Sequence, residues 1–164
     1  MSYLGLGSNL GDRFGNFFEA IEKLSSVLGI TVTNVSHVYE TDPVGVVDQP
    51  DYLNAAVEIE TVLEPELLLQ ICLDIEYKMG RVRAEKWSSR IIDIDILFYG
   101  DIIIGIPGLT VPHPLLEKRA FVLYPLSDIA PELVHPASGR TIKELRNIVD
   151  DTGIRKIDNL KLFE

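Results

Sequence analysis

Runs of alternating and β-branched apolar residues divide the first hundred residues into strand-like segments. They predict four strands, over residues 3–9, 30–39, 52–63 and 91–99. In the last strand, Asp93 and Asp95 interrupt a series of isoleucines, and residues two apart in a strand share a face. Both carboxylates therefore point one way, with Cα atoms roughly 6.7 Å apart at the usual rise of a strand. The opposite face is predicted to point into a core and carries Ile92, Ile94, Ile96 and Phe98.

Apolar residues at helical spacing predict two helices between these strands. The first follows Asp12, a suitable N-cap, and ends at Gly29. Its apolar face carries Phe14, Phe17, Phe18, Ile21, Leu24 and Leu28. The second begins at Pro65 and ends at Gly80. Its apolar face carries Leu68, Ile71, Cys72, Ile75 and Met79.

The resulting β-α-β-β-α-β order is the ferredoxin-like pattern, an α+β fold in which an antiparallel sheet has both helices on one face. The uncovered face, which carries both carboxylates, is then free for a ligand. Gly100 and Asp101 predict a hairpin turn into the apolar run 102–104. The C-terminal additions contain an amphipathic turn at 142–148 and suggest no chemistry.

Length and composition indicate a single domain over residues 1–164, located in the cytoplasm. Hydrophobic residues make up 46% of the chain and charged residues 24%, ordinary values for a globular protein. No apolar run approaches the ~20 residues of a membrane span, and the N-terminus lacks a signal-peptide pattern. The single cysteine, Cys72, cannot form an internal disulfide and is expected to be a core thiol.

The net charge of −10 argues against a nucleic-acid or anionic-membrane partner. Against that background, a third of the 15 cations lie within residues 78–90, as expected of a site that binds an anion. Mg²⁺ takes one or two carboxylates plus phosphate oxygens, and Arg binds phosphate in bidentate geometry. Two strand carboxylates directly after a cationic loop therefore indicate a nucleoside triphosphate site. The cations are Lys78, Arg81, Arg83, Lys86 and Arg90.

Each half of this pattern also has an ordinary structural explanation. Asp-x-Asp pairs are common at strand ends and on solvated sheet faces, and a loop of Arg and Lys is usually a solvated surface. The two together, with Trp87 among the cations, are more specific than either alone.

The stretch from Lys86 to Leu97 resembles the signature of the 6-hydroxymethyl-7,8-dihydropterin pyrophosphokinase family of folate biosynthesis. In this signature a basic residue and small residues come before Arg90. Two further residues follow Arg90, and then come Asp-x-Asp and two aliphatic residues. Ser88 stands where the family usually has Gly or Ala, and the loop between Arg83 and Lys86 is one residue shorter.

The resemblance extends to residues 48–56, which are similar to the family's pterin-binding stretch. A flat heteroaromatic ring with amide-like edges needs an aromatic face and a side chain that both donates and accepts hydrogen bonds. Tyr52 and Asn54 supply these on one face of the predicted strand, although a capped strand start with one buried Tyr explains them equally well. The resemblance adds further pterin contacts from Thr41, Val44 and Trp87.

A third segment, residues 112–126, is similar to the family's Pro-His-Pro, Arg and Phe-Val-Leu-x-Pro-Leu block. On its own, His113 between prolines is more simply interpreted as a cap of the following short helix. The resemblance implies that His113 and Arg119 reach the nucleotide, and that Phe121 stacks on the pterin opposite Tyr52.

The resemblance implies an ATP-dependent enzyme in which the hydroxymethyl oxygen of the dihydropterin attacks the β-phosphorus of ATP and AMP leaves. Asp93 and Asp95 would hold Mg²⁺, two ions by the resemblance. Arg81 and Arg90 would neutralise charge that develops on the transferred group and on the leaving AMP. The remaining nucleotide contacts would come from Arg83, Lys86 and Ile96.

The Gly-Ser-Asn-Leu-Gly-Asp run after Leu6 is similar to the start of the family, where its role is largely structural. Gly5 and Gly7 do not form a dinucleotide-binding fingerprint, because the position that needs the third glycine is Leu10.

Two other functions remain open from the residues alone. A nucleotidyltransferase or another diphosphokinase would use the same acids and arginines on a different acceptor. A ferredoxin-like ligand-sensing module would bind a small molecule without chemistry, and Mg²⁺-independent binding would favour it. We expect a monomer whose partners are the two small-molecule substrates.

Overall fold

The structure, a computed structural model, describes residues 1–42, 50–80 and 91–161, with the backbone alone for 158–161. The strands in these residues are β1 (Ser2–Ser8), β2 (Ile30–Val35), β3 (His37–Thr41), β4 (Tyr52–Thr61), β5 (Asp93–Tyr99), β6 (Ile104–Ile106), β7 (Leu109–Val111) and β8 (Ile154–Lys161). The α-helices are α1 (Arg13–Ser25), α2 (Pro65–Lys78), α3 (Ala120–Ile129) and α4 (Ile142–Ile148).

Six of the strands form one antiparallel sheet in the order β5-β1-β4-β3-β8, with β2 also paired to β4. The strand predicted over residues 30–39 is divided at Ser36 into β2 and β3, which pair with successive parts of β4. The division arises because the Ser36 hydroxyl, rather than a backbone carbonyl, accepts the N–H of Ala56 at 2.8 Å. The prediction of one continuous strand was therefore wrong at this position.

Helix α1 forms as predicted at its start but ends early. Asp12 caps it, since the Asp12 Oδ1 accepts the N–H of Gly15 at 3.0 Å. The helix ends before Gly29, so Leu28 lies beyond it and is 95% exposed. Phe18, also assigned to the apolar face, is half exposed. The assignment of these two residues to the apolar face was therefore wrong.

Helix α2 begins at Pro65 as predicted, and Cys72 on its apolar face is fully buried. Burial raises the pKa of the Cys72 thiol to about 12, with smaller contributions from the negative charges of Glu76 and Asp95. The thiol therefore stays protonated at neutral pH, and its prediction as a core residue is confirmed.

Two hydrophobic cores lie on opposite faces of the sheet. The first contains Ile94 and Ile96 of β5 together with the apolar faces of α1 and α2. The second contains Tyr3 and Phe98 together with apolar residues of α3 and α4. The face opposite α1 and α2 is thus covered at one end, whereas the sequence predicted it to be free.

Phe98 was predicted on the same face as Ile94 and Ile96, and this was wrong. The register between β1 and β5 shifts after Tyr3, which pairs with Phe98, so that Leu97 has no partner residue on β1. Such a bulge places one extra residue in the strand and breaks the alternation of faces. Phe98 therefore turns into the second core, where its ring meets those of Tyr3 and His135 edge to face.

The hairpin predicted around Gly100 lies further along the chain, because β6 pairs with β7 in a separate two-stranded sheet. The outer edge of β5 is met by α2 instead: the buried Glu76 accepts the N–H of Ile94 at 2.8 Å. Strand β8, which the sequence did not predict, extends the main sheet beyond β3. The described helices are all too short or too polar to span a bilayer.

Candidate active site

Three predicted site residues meet across adjacent strands at one end of the sheet. In the register of the sheet, Gly7 of β1 lies between Asp93 of β5 and Asn54 of β4. Two residues along, Gly5 lies between Asp95 and Ala56. Each carboxylate-bearing residue of β5 therefore has a glycine as its neighbour on β1.

The three atoms nearest to a Cβ position at Gly7 all belong to side chains of predicted site residues. A Cβ at Gly7 would lie 3.6 Å from the Asn54 Oδ1, 3.9 Å from the Asp93 Cβ and 3.9 Å from the Tyr52 Cδ1. This confirms that Tyr52 and Asn54 share a face of β4 and adds that Asp93 faces the same space. The missing side chain keeps the surface between these three residues free of any β1 side chain at this position.

The sequence predicts a structural role for Gly7, whereas the strand register places it between two predicted site residues, Asn54 and Asp93. A strand glycine without a positive φ often marks close approach of a ligand or backbone. That signal was present in the sequence, but only the strand register connects it to Asn54 and Asp93.

Asn54 is held in one orientation by a buried hydrogen bond. Its Nδ2 donates to the Thr41 Oγ1 at 2.9 Å, and both residues are almost fully enclosed. The Oδ1 of Asn54 is therefore the atom that faces the space over Gly7. Thr41, which the resemblance assigned to the pterin, thus orients the amide that lines the site.

The Pro-His-Pro segment is joined to β5 beside the acidic residues. The backbone N–H of His113 donates to the carbonyl of Leu97 at 3.1 Å, two residues beyond Asp95. The Nδ1 of His113 accepts the N–H of Leu115 at 3.4 Å. That contact leaves the proton of the neutral ring on Nε2. His113 does not cap the short helix that follows, because the N-cap of residues 116–118 is Leu115 and no side chain among the described residues bonds the helix start.

The imidazole of His113 is neutral at pH 7. Burial lowers its pKa below the ordinary value, Asp95 partly offsets that effect, and Arg119 lowers the pKa further. A neutral ring with its proton on Nε2 donates a hydrogen bond without adding positive charge. These influences also place Asp95 and Arg119 each within electrostatic range of His113.

Arg119 and Phe121, predicted to bind the nucleotide and the pterin, lie against each other at the start of α3. The guanidinium carbon of Arg119 stands 5.4 Å from the centre of the half-buried Phe121 ring. A cation at this distance from an aromatic face is attracted to it. The pair therefore fixes the direction of the arginine side chain before any ligand binds.

Ile96 differs from the other predicted contacts because its side chain is 4% exposed and packs in the core against α1 and α2. Any contact it makes with a nucleotide must come from its backbone. The remaining predicted residues lie outside the described residues: Val44, Arg81, Arg83, Lys86, Trp87 and Arg90.

The acidic pair suits a hard cation that shares its coordination with phosphate. Asp93 is half-buried and Asp95 is exposed, and both carboxylates stand on the face that carries Gly7. Within the described ranges, no group of three or more His, Cys, Asp or Glu side chains is gathered to hold a metal. Mg²⁺ commonly binds through only one or two carboxylates with water and phosphate oxygens, so the residues present fit it.

Comparison with known proteins identifies the family. A model of the family described as 7,8-dihydro-6-hydroxymethylpterin-pyrophosphokinase (HPPK) matches residues 3–131. The chain belongs to this family. The 2-amino-4-hydroxy-6-hydroxymethyldihydropteridine pyrophosphokinase of Methylorubrum extorquens is 45% identical over 157 residues, covering 96% of this chain and 98% of that protein. The protein of the same name from Aquifex aeolicus is 44% identical over 144 residues, covering 88% of this chain and 89% of that protein.

Solved structures agree with this assignment at the level of the fold. A Plasmodium falciparum HPPK-DHPS structure matches with a TM-score of 0.73 at 21% sequence identity. The match covers 89% of this chain and 41% of that chain, so this chain spans less than half of that protein. The family model and the curated relatives confirm the family predicted from the sequence, and the solved structure agrees with a mixed fold of an antiparallel sheet with helices.

Proposed function

We propose that the open end of the sheet around Gly7 carries out the reaction of its family, transfer of pyrophosphate from ATP to the hydroxymethyl group of 6-hydroxymethyl-7,8-dihydropterin. Membership of the family makes the chain a pyrophosphokinase, an ATP-dependent transferase of folate biosynthesis. The observation that supports this site is the row Asp93–Gly7–Asn54 in the sheet. An acidic residue and an amide residue lie there on either side of a glycine.

The pterin is proposed to lie over Gly7. A planar ring fits there because Gly7 has no side chain to occupy the space above β1 at this position. The Asn54 Oδ1 faces the same space and can accept a ring N–H. Tyr52 borders the space, and Phe121 would face it from α3. Two aromatic side chains around a flat heterocycle exclude water and favour stacking.

The nucleotide is proposed to lie toward β5 and the start of α3. The Nε2 of His113 would donate to an ATP oxygen as a neutral group, while Arg119 would supply positive charge. Arg81 and Arg90 would neutralise charge on the transferred group and on AMP. Phosphoryl transfer depends mainly on positioning and electrostatics, so this set needs no dedicated general base.

Asp93 and Asp95 would hold Mg²⁺, two ions by analogy with the family, and the metal would lower the negative charge that repels the attacking oxygen. Both carboxylates stand on a rigid strand, and Glu76 fixes the backbone between them through the N–H of Ile94. The chain itself therefore sets the separation of the two acids.

The strand order and the composition of the chain support proposals about its fold and its domain organisation. If β2 and β3 are counted as one interrupted strand, the first four strands have the order of a ferredoxin-like sheet. We also infer that residues 1–164 form a single domain that acts as a monomer in the cytoplasm, because the composition is that of one globular unit.

The test is a product analysis with ATP, Mg²⁺ and 6-hydroxymethyl-7,8-dihydropterin on the wild type and Asp95→Ala. AMP that forms only with the pterin, and that disappears in the variant, is the expected result. ADP in place of AMP would mean transfer of the γ-phosphate alone. Tight ATP·Mg²⁺ binding without any turnover would retain the nucleotide site and reject the pterin.

A further inference from the structure

The C-terminal strand contributes charge to the pterin end of the sheet, although it lies outside the part of the chain that the family model matches. Strand β8 pairs with β3 in antiparallel register, which puts Arg155 opposite Glu40 and Ile154 opposite Thr41. Thr41 is in turn paired with Tyr52 of β4. Arg155 therefore lies one position along β8 from Ile154, the residue opposite Thr41, and Thr41 and Tyr52 are both proposed pterin contacts.

Arg155 binds three carboxylates that come from two separate segments. Its Nε donates to the Glu40 Oε1 at 3.1 Å, and one terminal nitrogen donates to the Asp42 Oδ1 at 3.2 Å. The other terminal nitrogen donates to the Asp51 Oδ2 at 2.5 Å. Glu40 and Asp42 lie at the end of β3, and Asp51 directly precedes β4. The planar guanidinium thus joins the end of one strand to the beginning of the next.

A second arginine completes the network from the other side. Arg13, the first residue of α1, donates to the Glu40 Oε2 at 2.8 Å and to the backbone carbonyl of Asp51 at 2.9 Å. Burial alone would raise the pKa of Glu40, but hydrogen bonds from Arg13 and Arg155 outweigh it and hold that pKa below its ordinary value. Glu40 is therefore charged at neutral pH and is shared between the two arginines.

The turn before β8 also contacts Asp42. The N–H of Asp42 donates to the carbonyl of Gly153 at 3.3 Å, and Gly153 has a positive φ of 78°. A Cβ at Gly153 would stand 2.8 Å from the Asp42 Oδ2, so a side chain there would displace the carboxylate that Arg155 holds. The turn before β8 is thus shaped to let Asp42 reach Arg155.

We propose that Arg155 is a positioning residue for the pterin site: by joining Asp42 to Asp51, it keeps the last pair of the β3–β4 ladder, Thr41 and Tyr52, from separating. The inference rests on the proposed function. Thr41 orients Asn54, and Tyr52 borders the space over Gly7, so a change in their separation moves both groups that would hold the ring. Arg155 itself touches no reacting atom, and the nucleotide end of the site lies on β5 and α3, away from its contacts.

The experiment compares steady-state kinetics of the wild type with Arg155→Ala, Arg155→Lys and Lys156→Ala. Because each ion pair is close to solvent, Arg155→Ala is expected to raise the KM for the pterin by about 3–10-fold. Its KM for ATP and its kcat should stay within about twofold of the wild type. Lys retains the charge but lacks the planar fork that reaches three carboxylates, so Arg155→Lys should show an intermediate KM.

Lys156→Ala is the matched control. It removes one positive charge from the next position of β8, and among the described residues Lys156 takes part in no ion pair. Its kinetic constants should equal those of the wild type. Equilibrium titration of each variant with the pterin, in the presence of a non-hydrolysable ATP analogue, gives the dissociation constant of the pterin separately from turnover.

Three results would overturn the inference. An unchanged pterin KM in Arg155→Ala, with normal wild-type turnover, would remove the role of Arg155 and leave the proposed function intact. Equal rises in both KM values with a lower melting temperature would mean a general structural role. A wild type that forms no pterin-dependent AMP would refute the proposed function, and this inference with it.

Discussion

The two ends of one sheet face have opposite characters, and side-chain size along β1 separates them. At one end Tyr3 is buried and packs on Phe98 beneath α3 and α4. At the other end Gly7 replaces such a side chain, and the neighbouring strands present Asp93 and Asn54 instead of apolar groups. Gly5 lies between the two ends, and the Leu97 side chain packs over it. The same strand thus supports a core at one end and the proposed ligand site at the other.

The bulge at Leu97 marks the boundary between these ends. Before it, alternate residues of β5 present carboxylates; after it, Phe98 enters the second core. The carbonyl of Leu97 also accepts the N–H of His113, which brings the Pro-His-Pro segment to the boundary. A change at the open end is therefore expected to affect ligand binding, and a change at the filled end to affect stability.

The largest effect is expected for Asp95→Asn. The amide has nearly the same shape but lacks the charge that a divalent cation needs, and a metal ion stabilises transition-state charge by several kcal/mol. We expect kcat to fall by about 10³-fold in a rapid-quench assay of AMP formation. Because Asp95 is exposed, the melting temperature should be unchanged. Activity within tenfold of the wild type would exclude Asp95 as a metal ligand.

At the filled end, Leu126→Ala should act on stability alone. Leu126 is fully buried in the second core, so the truncation leaves a cavity and should lower the free energy of unfolding by about 2–5 kcal/mol. Urea denaturation measures this change. The pterin KM should remain within about twofold below the melting transition. A large change in that KM at normal stability would show that the two ends are not independent.

Gly7→Ala should separate stability from affinity at the open end. The new Cβ would meet its neighbours at 3.6–3.9 Å, which is ordinary contact, and alanine in a strand is about 0.5–1 kcal/mol more stable than glycine. We therefore expect a slightly higher free energy of unfolding, together with about tenfold weaker pterin binding by fluorescence titration, an effect of one methyl group in a tight pocket.

Gly105→Ala is the control for this comparison. Gly105 lies in β6, and a Cβ there would have nothing within 4 Å. It should raise stability by a similar amount and leave pterin binding unchanged. Equal pterin affinity in Gly7→Ala and Gly105→Ala would mean that the ring does not lie over Gly7.

The smallest effect concerns Glu40 and pH. Its pKa is below the ordinary value in the folded protein, so its stabilising contribution is complete above the ordinary pKa and is lost as the pH falls through the lowered folded-state value. The free energy of unfolding of the wild type should therefore exceed that of Glu40→Gln at pH 7 by less than about 1 kcal/mol, because the pairs are near solvent, and the difference should shrink as the pH falls below the ordinary pKa. A difference that does not depend on pH would exclude the Glu40 charge as its source.

Local features of the fold were predictable because they depend on neighbouring residues. The cap at Asp12, the start of α2 at Pro65 and the shared face of Tyr52 and Asn54 all follow from spacing within a few residues. The same holds for the position of Cys72 in the core. In each case the periodicity of the chain was enough to decide the structure.

Features that depend on distant partners were not predictable from the pattern. The division at Ser36 requires the N–H of Ala56, and the bulge at Leu97 requires the register of β1. Arg155 meets carboxylates that are 104 to 115 residues earlier in the chain. Glu76 lies near the end of α2, and nothing in the neighbouring residues indicates that it binds the backbone of β5.

The most direct test of the central claim is an amide NMR titration of ¹⁵N-labelled protein with 6-hydroxymethyl-7,8-dihydropterin, in the presence of Mg²⁺ and a non-hydrolysable ATP analogue. We predict that the largest pterin-dependent shifts occur at the backbone amide of Gly7 and the side-chain amide of Asn54, while Leu126 at the filled end stays unchanged. Unshifted signals for Gly7 and Asn54 at saturating pterin, with the largest shifts elsewhere in the chain, would contradict it.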